Sequence, residues 1–337
     1  MDTLSHALLG AAIGQLTLGR KVGNKAVLAG AAAALLPDID VPIGMLLGDA
    51  AALTFHRGIT HSLVFVLLAG CLLGTLLGRG RDGIHGREWS LLFCAVLLGH
   101  LVIDTFTSYG IQLLLPFSDR SFAIASISVI DPVYTLPLLL TVLVFPWLQR
   151  GRMRHALALA GVVLSSAYLA LTLYNKQLVT AQFRAALAGE GIVGERLFVK
   201  PTMFNNLLWR GIAESGDGYF VGFYSLLDKS PPADFVYVAR NGSLLDEHNQ
   251  APLVRDLLKV SDNYFQVEER NGELYFHDLR YGKAFEWLRD ERPNVFTYRL
   301  VMDTGRMVDL ETISLEVDRE RDRSTFRALV SRARGQL

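Results

Sequence analysis

The first half of the chain is a series of long apolar runs, and several approach the about 20 residues that a helix needs to cross a ~30 Å hydrocarbon core. Many of these runs are apolar on every face, which favours membrane segments over the helices of a soluble core. The six predicted segments are 4–19, 26–53, 62–78, 90–106, 129–148 and 155–174.

The second half has a different pattern. Residues 195–337 contain short runs in which apolar and polar positions alternate, as in YFVGFYSL, NYFQVEER and ELYFHDL. This period of two is typical of β-strands, and Asn271-Gly272 between two runs is a strong hairpin signal. We therefore predict an α-helical polytopic membrane domain at 1–175, followed by a soluble antiparallel α+β domain at 176–337.

The charged residues orient the predicted segments. The 337 residues carry no net formal charge, so the whole chain gives no electrostatic reason to expect nucleic acid. Lys and Arg beside membrane segments favour the cytoplasmic side. Three short loops are basic through Arg20, Lys21, Lys25, Arg79, Arg81, Arg87, Arg150, Arg152 and Arg154. If all three loops are cytoplasmic, the chain crosses six times and the C-terminal domain is extracytoplasmic.

Polar chemistry interrupts the apolar pattern at HRGITHS. His56 and His61 are five residues apart, so they cannot share one helix face. A turn at Gly58 and a helix that starts near Thr60 would let them converge, with Thr60 or Ser62 as the cap. The two histidines are either metal ligands or interfacial side chains that reach water.

Two further stretches place ionisable groups within apolar runs, where each costs about 2.5–3.5 kcal/mol on insertion scales. In LLGHLVIDTF, His100 and Asp104 are four residues apart and share a helix face. In LLPDIDVP, Asp38 and Asp40 lie between prolines, which predicts a broken helix. The alternatives are a structural His–Asp pair between helices and an ordinary surface turn.

Under the predicted topology these groups lie at the outer side of the membrane, together with two more polar residues. The candidate metal ligands are His6, Asp38, Asp40, His56, His61, His100, Asp104 and Asp131. Imidazole and carboxylate ligands suit zinc first, with manganese or iron as alternatives. Eight candidates exceed one tetrahedral site, so we expect one to three divalent ions.

Other residues are candidates for catalysis and substrate binding. Asp40, if it does not bind metal, is the preferred general base. Arg57 is suited to steady a phosphate. The connection that follows residue 106 offers Ser108, Tyr109 and Asp119 as substrate contacts.

Five blocks in this order resemble the YdjM family: DTLSHALLGAAIG, LLPDIDVP, HRGITHS, LLGHLVIDTFTSYG and ISVIDP. PTMFNNLLWR, at 201–210, resembles the soluble part of that family. Its members are described as metal-dependent hydrolases that bind LexA and are associated with the inner membrane. The family is distantly similar to zinc-dependent phospholipase C and to single-strand nucleases. The resemblance implies a bacterial inner-membrane location, a phospholipase C-like helical core and zinc. The implied ligand order is His6, Asp38, His56 or His61, His100 and Asp104.

Three functions fit these features. The first is a membrane-bound metal-dependent hydrolase that uses a metal-activated water on a phosphoester of a lipid or lipid-linked substrate. The second is a metal or ion transporter, because intramembrane His and Asp also mark ion paths. The third is a non-catalytic membrane protein that binds a protein partner and contains a structural metal. Membrane lipid and a small-molecule or lipid substrate are the expected partners, and nucleic acid is not.

Overall fold

The computed structural model describes residues 1–79, 83–149, 151–248, 251–283, 286, 293–303, 306–313 and 319–336. Two of the basic-loop residues, Arg81 and Arg150, lie outside the described residues. The chain forms two compact units. The first comprises Met1–Ile43, Phe55–Tyr174 and Met203–Asn206, and the second comprises Gly44–Thr54, Asn175–Thr202 and Leu207–Leu337.

The N-terminal part of the chain is helical, as predicted. Its helices are α1 (Thr3–Thr17), α2 (Gly19–Val22), α3 (Asn24–Ala34), α4 (Asp40–Leu47), α5 (Asp49–Phe55), α6 (Leu63–Leu77), α7 (Gly86–Thr105), α8 (Pro132–Val144) and α9 (Arg152–Gly189). Short 3-10 turns at Pro37–Ile39 and Ile59–His61 precede α4 and α6.

Two of these helices, α7 and α9, are long and apolar enough to cross a membrane. Two bent pairs raise the number of candidate spans to four if each pair is one span. Asn24–Ala34 and Pro37–Leu47 meet at 44°, and Asp49–His61 and Leu63–Leu77 meet at 62°. Among the described residues, the helical region therefore has two to four candidate spans, and the six-pass arrangement stays a prediction.

Helix α1 is packed inside the first unit. Its 15 residues extend for only about 22 Å at 1.5 Å per residue, less than the thickness of a hydrocarbon core. Gly10 and Gly30 bring the backbones of α1 and α3 together, since a Cβ built on Gly10 would lie 2.4 Å from the carbonyl oxygen of Gly30. This contact places His6, on the preceding turn of α1, inside the helical unit.

Within its described residues, the second unit contains two four-stranded antiparallel sheets, which confirms the predicted sheet domain. One sheet has the order β1 (Arg196–Pro201), β2 (Leu208–Ser215), β3 (Gly218–Ser225) and β4 (Val236–Ala239). The other has the order β5 (Phe265–Arg270), β6 (Glu273–Asp278), β7 (Thr297–Asp303) and β8 (Arg306–Ile313). Helices α10 (Pro252–Val260) and α11 (Arg319–Ala333) complete this part of the chain.

The predicted turn at Asn271-Gly272 joins β5 to β6, and both residues have the positive φ (54° and 80°) that such a turn requires. Apolar side chains from α10 and from β5 to β8 form the core beside this sheet. Phe265 stacks on Phe276 with ring centroids 5.2 Å apart within that core.

A short piece of the N-terminal half belongs to the second unit. Leu53, on α5, is buried in the core next to β5–β8. Asp49, at the start of α5, accepts a hydrogen bond of 2.6 Å from the backbone amide of Thr312 on β8. Gly44–Thr54 is therefore held against the C-terminal sheet by both apolar and polar contacts.

The contact between α1 and α3 gives the first prediction. We expect Gly10→Ala to lower the free energy of unfolding by about 1–3 kcal/mol, because the added methyl group overpacks a closed backbone contact. Thermal unfolding in detergent measures the change. Gly189→Ala is the control, because a Cβ at this helical glycine meets nothing within 4 Å. Equal melting temperatures for the two variants would contradict the proposed tight packing.

Candidate metal centre

Four side chains from three parts of the first unit meet at one point. Asp38 comes from the 3-10 turn that follows α3, His61 from the 3-10 turn that precedes α6, and His100 and Asp104 from α7. One nitrogen or oxygen from each of these four residues lies within 4.8 Å of the others. The group can hold a metal ion.

The end of α3 orients His100. Its Nδ1 lies 2.7 Å from the carbonyl oxygen of Ala34, the last residue of α3, where carbonyls have no partner within the helix. Because a carbonyl only accepts, Nδ1 must carry the proton and donate it. Nε2 of His100 therefore presents a lone pair to the cluster.

Local contacts orient His61 in the same way. Its Nδ1 lies 3.1 Å from Thr60 Oγ1 and 3.3 Å from Asp40 Oδ2. With a carboxylate and a hydroxyl at Nδ1, the proton of the neutral ring is held there, and Nε2 of that neutral ring presents a lone pair. The predicted turn and cap are present: Ser62 accepts a hydrogen bond of 3.1 Å from Phe65 N and begins α6.

Five of the six distances among the four donor atoms suit a tetrahedral ion. An ion with ligand bonds of about 2.0–2.2 Å holds its ligand atoms roughly 3.3–3.6 Å apart. Nε2 of His61 and Nε2 of His100 are 3.2 Å apart. Each of these nitrogens lies 3.5–3.6 Å from Asp38 Oδ1 and from Asp104 Oδ2. The two nitrogens cannot hydrogen-bond to each other if both protons are on Nδ1, so a cation is the partner that this geometry suits.

The surroundings of Asp104 support the same interpretation. This carboxylate is fully buried, and its Oδ2 has no hydrogen-bond partner among the described residues. Its Oδ1 contacts Nε2 of His6 at 3.2 Å and the α-amine of Met1. His6 also stacks on His100, with ring centroids 3.6 Å apart. His6 therefore lies beside the four-residue group and is not part of it.

Arg57 approaches the cluster from the side. Its guanidinium lies 3.5 Å from Asp104 Oδ2 and donates a hydrogen bond of 2.9 Å to Thr107 Oγ1. The guanidinium also lies 5.0 Å from the ring centroid of Tyr109. The backbone of Arg57, with φ of 58°, is the left-handed residue of the turn, whereas Gly58 is not.

The other candidate residues have different surroundings. Asp40 and His56 contact each other at 3.3 Å on the far side of His61. Asp131 caps α8 by accepting from the amides of Val133 and Tyr134, so the structure places it outside the four-residue group. Ser108 is buried, and Tyr109 packs against His56 with ring centroids 5.0 Å apart.

Two threonines contact the site residues. The sequence suggests Thr60 only as a helix cap, and it does not single out Thr107. The hydroxyl of Thr60 donates a hydrogen bond to the carboxylate of Asp40. The hydroxyl of Thr107 donates a hydrogen bond of 2.7 Å to the carbonyl oxygen of Asp104 and accepts one from the guanidinium of Arg57. Thr107 follows Asp104 by three residues, which is the spacing of neighbours on one helix face. That spacing was the available signal.

Residues 1–179 match the YdjM inner membrane protein family, which is more than half of the 337 residues. The chain belongs to this family. It is 29% identical over 236 residues to the "Uncharacterized protein YfhP" of Bacillus subtilis (strain 168), covering 66% of this chain and 68% of that protein. It is 39% identical over 125 residues to the "Inner membrane protein YbcI" of Escherichia coli (strain K12), covering 35% of this chain and 69% of that protein. No solved structure matches the chain significantly.

The five blocks within residues 2–132 lie in the matched region, so the resemblance that they carry is confirmed as family membership. PTMFNNLLWR, at 201–210, lies outside the matched region, and its resemblance to the family stays a prediction. The four residues of the cluster, Asp38, His61, His100 and Asp104, all lie within the matched region. A membrane association follows from the family and from the apolar helices together.

The geometry predicts that retention of the metal depends on the imidazole of His100. We expect detergent-purified protein to contain a divalent metal and His100→Ala to lose most of it, because the variant lacks one of four ligand atoms. Elemental analysis by mass spectrometry measures the metal per chain. His248→Ala is the control, since His248 lies in the second unit. Equal metal content in the two variants would refute the assignment of His100.

Proposed function

We propose that this membrane protein is a metal-dependent hydrolase that acts on a phosphoester of a lipid or lipid-linked substrate. The observation that supports the proposal is the pair of imidazole nitrogens that lie 3.2–3.6 Å from each other and from two carboxylate oxygens, with a guanidinium beside them. A divalent ion bound there would supply Lewis acidity towards a phosphoryl oxygen.

Different side chains of the protein are suited to hold the ion, to leave the site accessible and to bind the phosphate. His61, His100 and Asp104 are fully or almost fully buried, so they are suited to hold the ion. Asp38 has a side chain that is 26% exposed, which places the accessible side of the cluster at this residue. Arg57 is suited to pair with an anionic phosphoryl oxygen through its planar N–H groups.

The surroundings of the site support a lipid-derived substrate. Helix α6, which begins directly after His61, exposes large apolar side chains along its outer surface. Leu67, Leu68 and Leu72 are each at least 60% exposed. An apolar surface of this kind is suited to lipid, so a substrate with acyl chains would reach the cluster from within the bilayer.

A hydrolysis assay tests this proposal. The purified protein, reconstituted with metal, is incubated with phospholipids that differ in head group, and the products are identified by mass spectrometry. We expect the wild type to release a phosphorylated head group or phosphate, and His61→Ala and Asp104→Asn to fall to the level of the reaction without protein.

Asp49→Asn is the matched control, because this carboxylate lies in the second unit and contacts β8. It should keep wild-type turnover. Hydrolysis that persists in metal-free Asp104→Asn would refute the mechanism.

One observation favours a second candidate, in which the metal has a structural role. Four protein ligands close a tetrahedral site, and closed sites are typical of structural zinc. This alternative predicts one tightly held ion and no turnover of any phosphoester by protein that retains its metal. The same assay therefore separates the two functions.

We also propose that the C-terminal sheet domain is extracytoplasmic. Gly44–Thr54 contacts that domain, so the connection after α4 and the domain share one side of the bilayer. The predicted topology has one membrane segment between each basic loop and either that connection or the domain. These loops lie near Lys21, Arg87 and Arg152. Because basic loops favour the cytoplasm, the connection and the domain fall on the other side.

Labelling with a membrane-impermeant maleimide tests the orientation. The exposed turn residue Asn271 is changed to Cys in a background that contains Cys71→Ala and Cys94→Ala. We expect labelling of intact spheroplasts to equal that of lysed cells. A cysteine at Lys21, in the first basic loop, is the control and should be labelled only after lysis. The reverse pattern would place the domain in the cytoplasm.

A further inference from the structure

The two carboxylates of LLPDIDVP lie two residues apart and face different parts of the site. Oδ1 of Asp38 faces the two opposed imidazole nitrogens, at 3.6 Å from each. Asp40 is fully buried and contacts the opposite edge of His61, at Nδ1. A single motif thus supplies one group in front of His61 and another behind it.

Asp40 holds most of the polar groups of HRGITHS. Its Oδ2 accepts a hydrogen bond of 2.7 Å from Arg57 N and one of 3.2 Å from Thr60 Oγ1. The same oxygen lies 3.3 Å from His61 Nδ1, and Oδ1 lies 3.3 Å from His56 Nδ1. Both carboxylate oxygens are therefore engaged within this turn.

We propose that Asp40 is a positioning residue, which fixes the tautomer of His61 and the backbone of Arg57 without binding the metal itself. This inference rests on the proposed metal site and replaces the ligand and general-base roles that the sequence suggested for Asp40.

The effect on His61 follows from the direction of the hydrogen bonds. Thr60 can donate its hydroxyl proton only once, and the carboxylate of Asp40 can only accept, so this proton goes to Asp40. The lone pairs of Thr60 Oγ1 and Asp40 Oδ2 then both face His61 Nδ1. The proton of the neutral ring is kept on Nδ1, and Nε2 is left free to bind a cation. Partners of this kind behind a ligand histidine fix its orientation and raise its basicity.

The effect on Arg57 is one of backbone conformation. A φ of 58° is uncommon for a residue with a branched or long side chain. The short hydrogen bond from Arg57 N to Asp40 Oδ2 stabilises this conformation, which directs the guanidinium towards Asp104 and Thr107. Loss of the carboxylate would therefore loosen a ligand and the neighbouring cation together.

The first measurement is zinc affinity by competition with a chromophoric chelator, on full-length protein in detergent. We expect Asp40→Ala to bind zinc about 10- to 100-fold more weakly than the wild type, but with the same stoichiometry at saturation. Asp40→Asn keeps one acceptor oxygen for Arg57 N and should recover most of the affinity. Asp49→Ala, an exposed carboxylate of the second unit, should bind as the wild type does.

Two results of this titration would overturn the proposal. If Asp40→Ala binds zinc as tightly as the wild type, the carboxylate does not position His61. If the stoichiometry falls in Asp40→Ala as it does in Asp38→Ala, then Asp40 is itself a ligand. Size-exclusion chromatography identifies variants that have lost the fold. If Asp40→Ala is one of them, Asp40→Asn replaces it: full zinc stoichiometry at saturation supports the positioning role, and a lost equivalent of zinc shows that Asp40 is a ligand.

The second measurement reads the ring of His61 directly. Nitrogen-15 spectra of histidine-labelled protein, saturated with zinc, report which ring nitrogen carries the proton, and His61→Ala assigns the signal. We expect His61 of the wild type to be protonated on Nδ1, and Asp40→Ala to populate both tautomers. An unchanged tautomer in Asp40→Ala would refute the positioning role.

The two measurements separate this inference from the proposed function. If zinc binds and the tautomer depends on Asp40 but no phosphoester is cleaved, the hydrolase proposal fails and the role of Asp40 stands. If hydrolysis occurs with wild-type zinc affinity in Asp40→Ala, the role of Asp40 fails and the hydrolase stands.

Discussion

The opposed Nε2 atoms of His61 and His100 are the contact around which the helical unit is arranged. Two ring nitrogens 3.2 Å apart repel each other when both carry lone pairs, and a buried unpaired polar group is costly. The arrangement persists because each ring is held from behind, by the end of α3 in one case and by Thr60 and Asp40 in the other. The same contacts that create this repulsion leave both nitrogens free to bind a cation.

The breaks in the helices follow from the need to bring these groups together. A straight membrane helix presents side chains at fixed intervals along its surface, so it cannot direct Asp38 and Asp40 to two sides of one imidazole. The bend of 44° lies just before Asp38, and the bend of 62° lies directly after His61. Buried irregular backbone requires polar partners from the protein, and Asp40 supplies one for the amide of Arg57. The polar site therefore stabilises the bends that form it.

The sequence predicts the positions of some site residues better than those of others. The spacing of His100 and Asp104 predicts a shared helix face, and the structure has both on α7. The choice between Asp38 and Asp40, or between His56 and His61, depends on turn geometry that spacing alone does not determine. Asp131 was grouped with the candidate ligands, although an Asp directly before Pro132 is also the pattern of a helix N-cap, which is its position in the structure.

Contacts between residues that are far apart in the sequence limit the prediction of the fold in a similar way. Alternating residues predict the strands of the C-terminal domain and the turn at Asn271-Gly272, because both are local signals. The membership of Gly44–Thr54 in the second unit depends on contacts with residues more than 200 positions away, such as Thr312. No periodicity within the segment itself indicates that partner.

The close contact between α1 and α3 has a consequence for biogenesis. Helix α1 buries Ser5, His6 and Gln15, so it would expose polar groups to lipid if it entered the membrane by itself. Gly10 and Gly30 let the two backbones touch, and α3 follows α1 after only a short connection. Two helices packed in this way would enter a bilayer together, as a hairpin. The centre between His61 and His100 is complete only after α7 has been synthesised, so an ion could bind there only at a late step in the maturation of the protein.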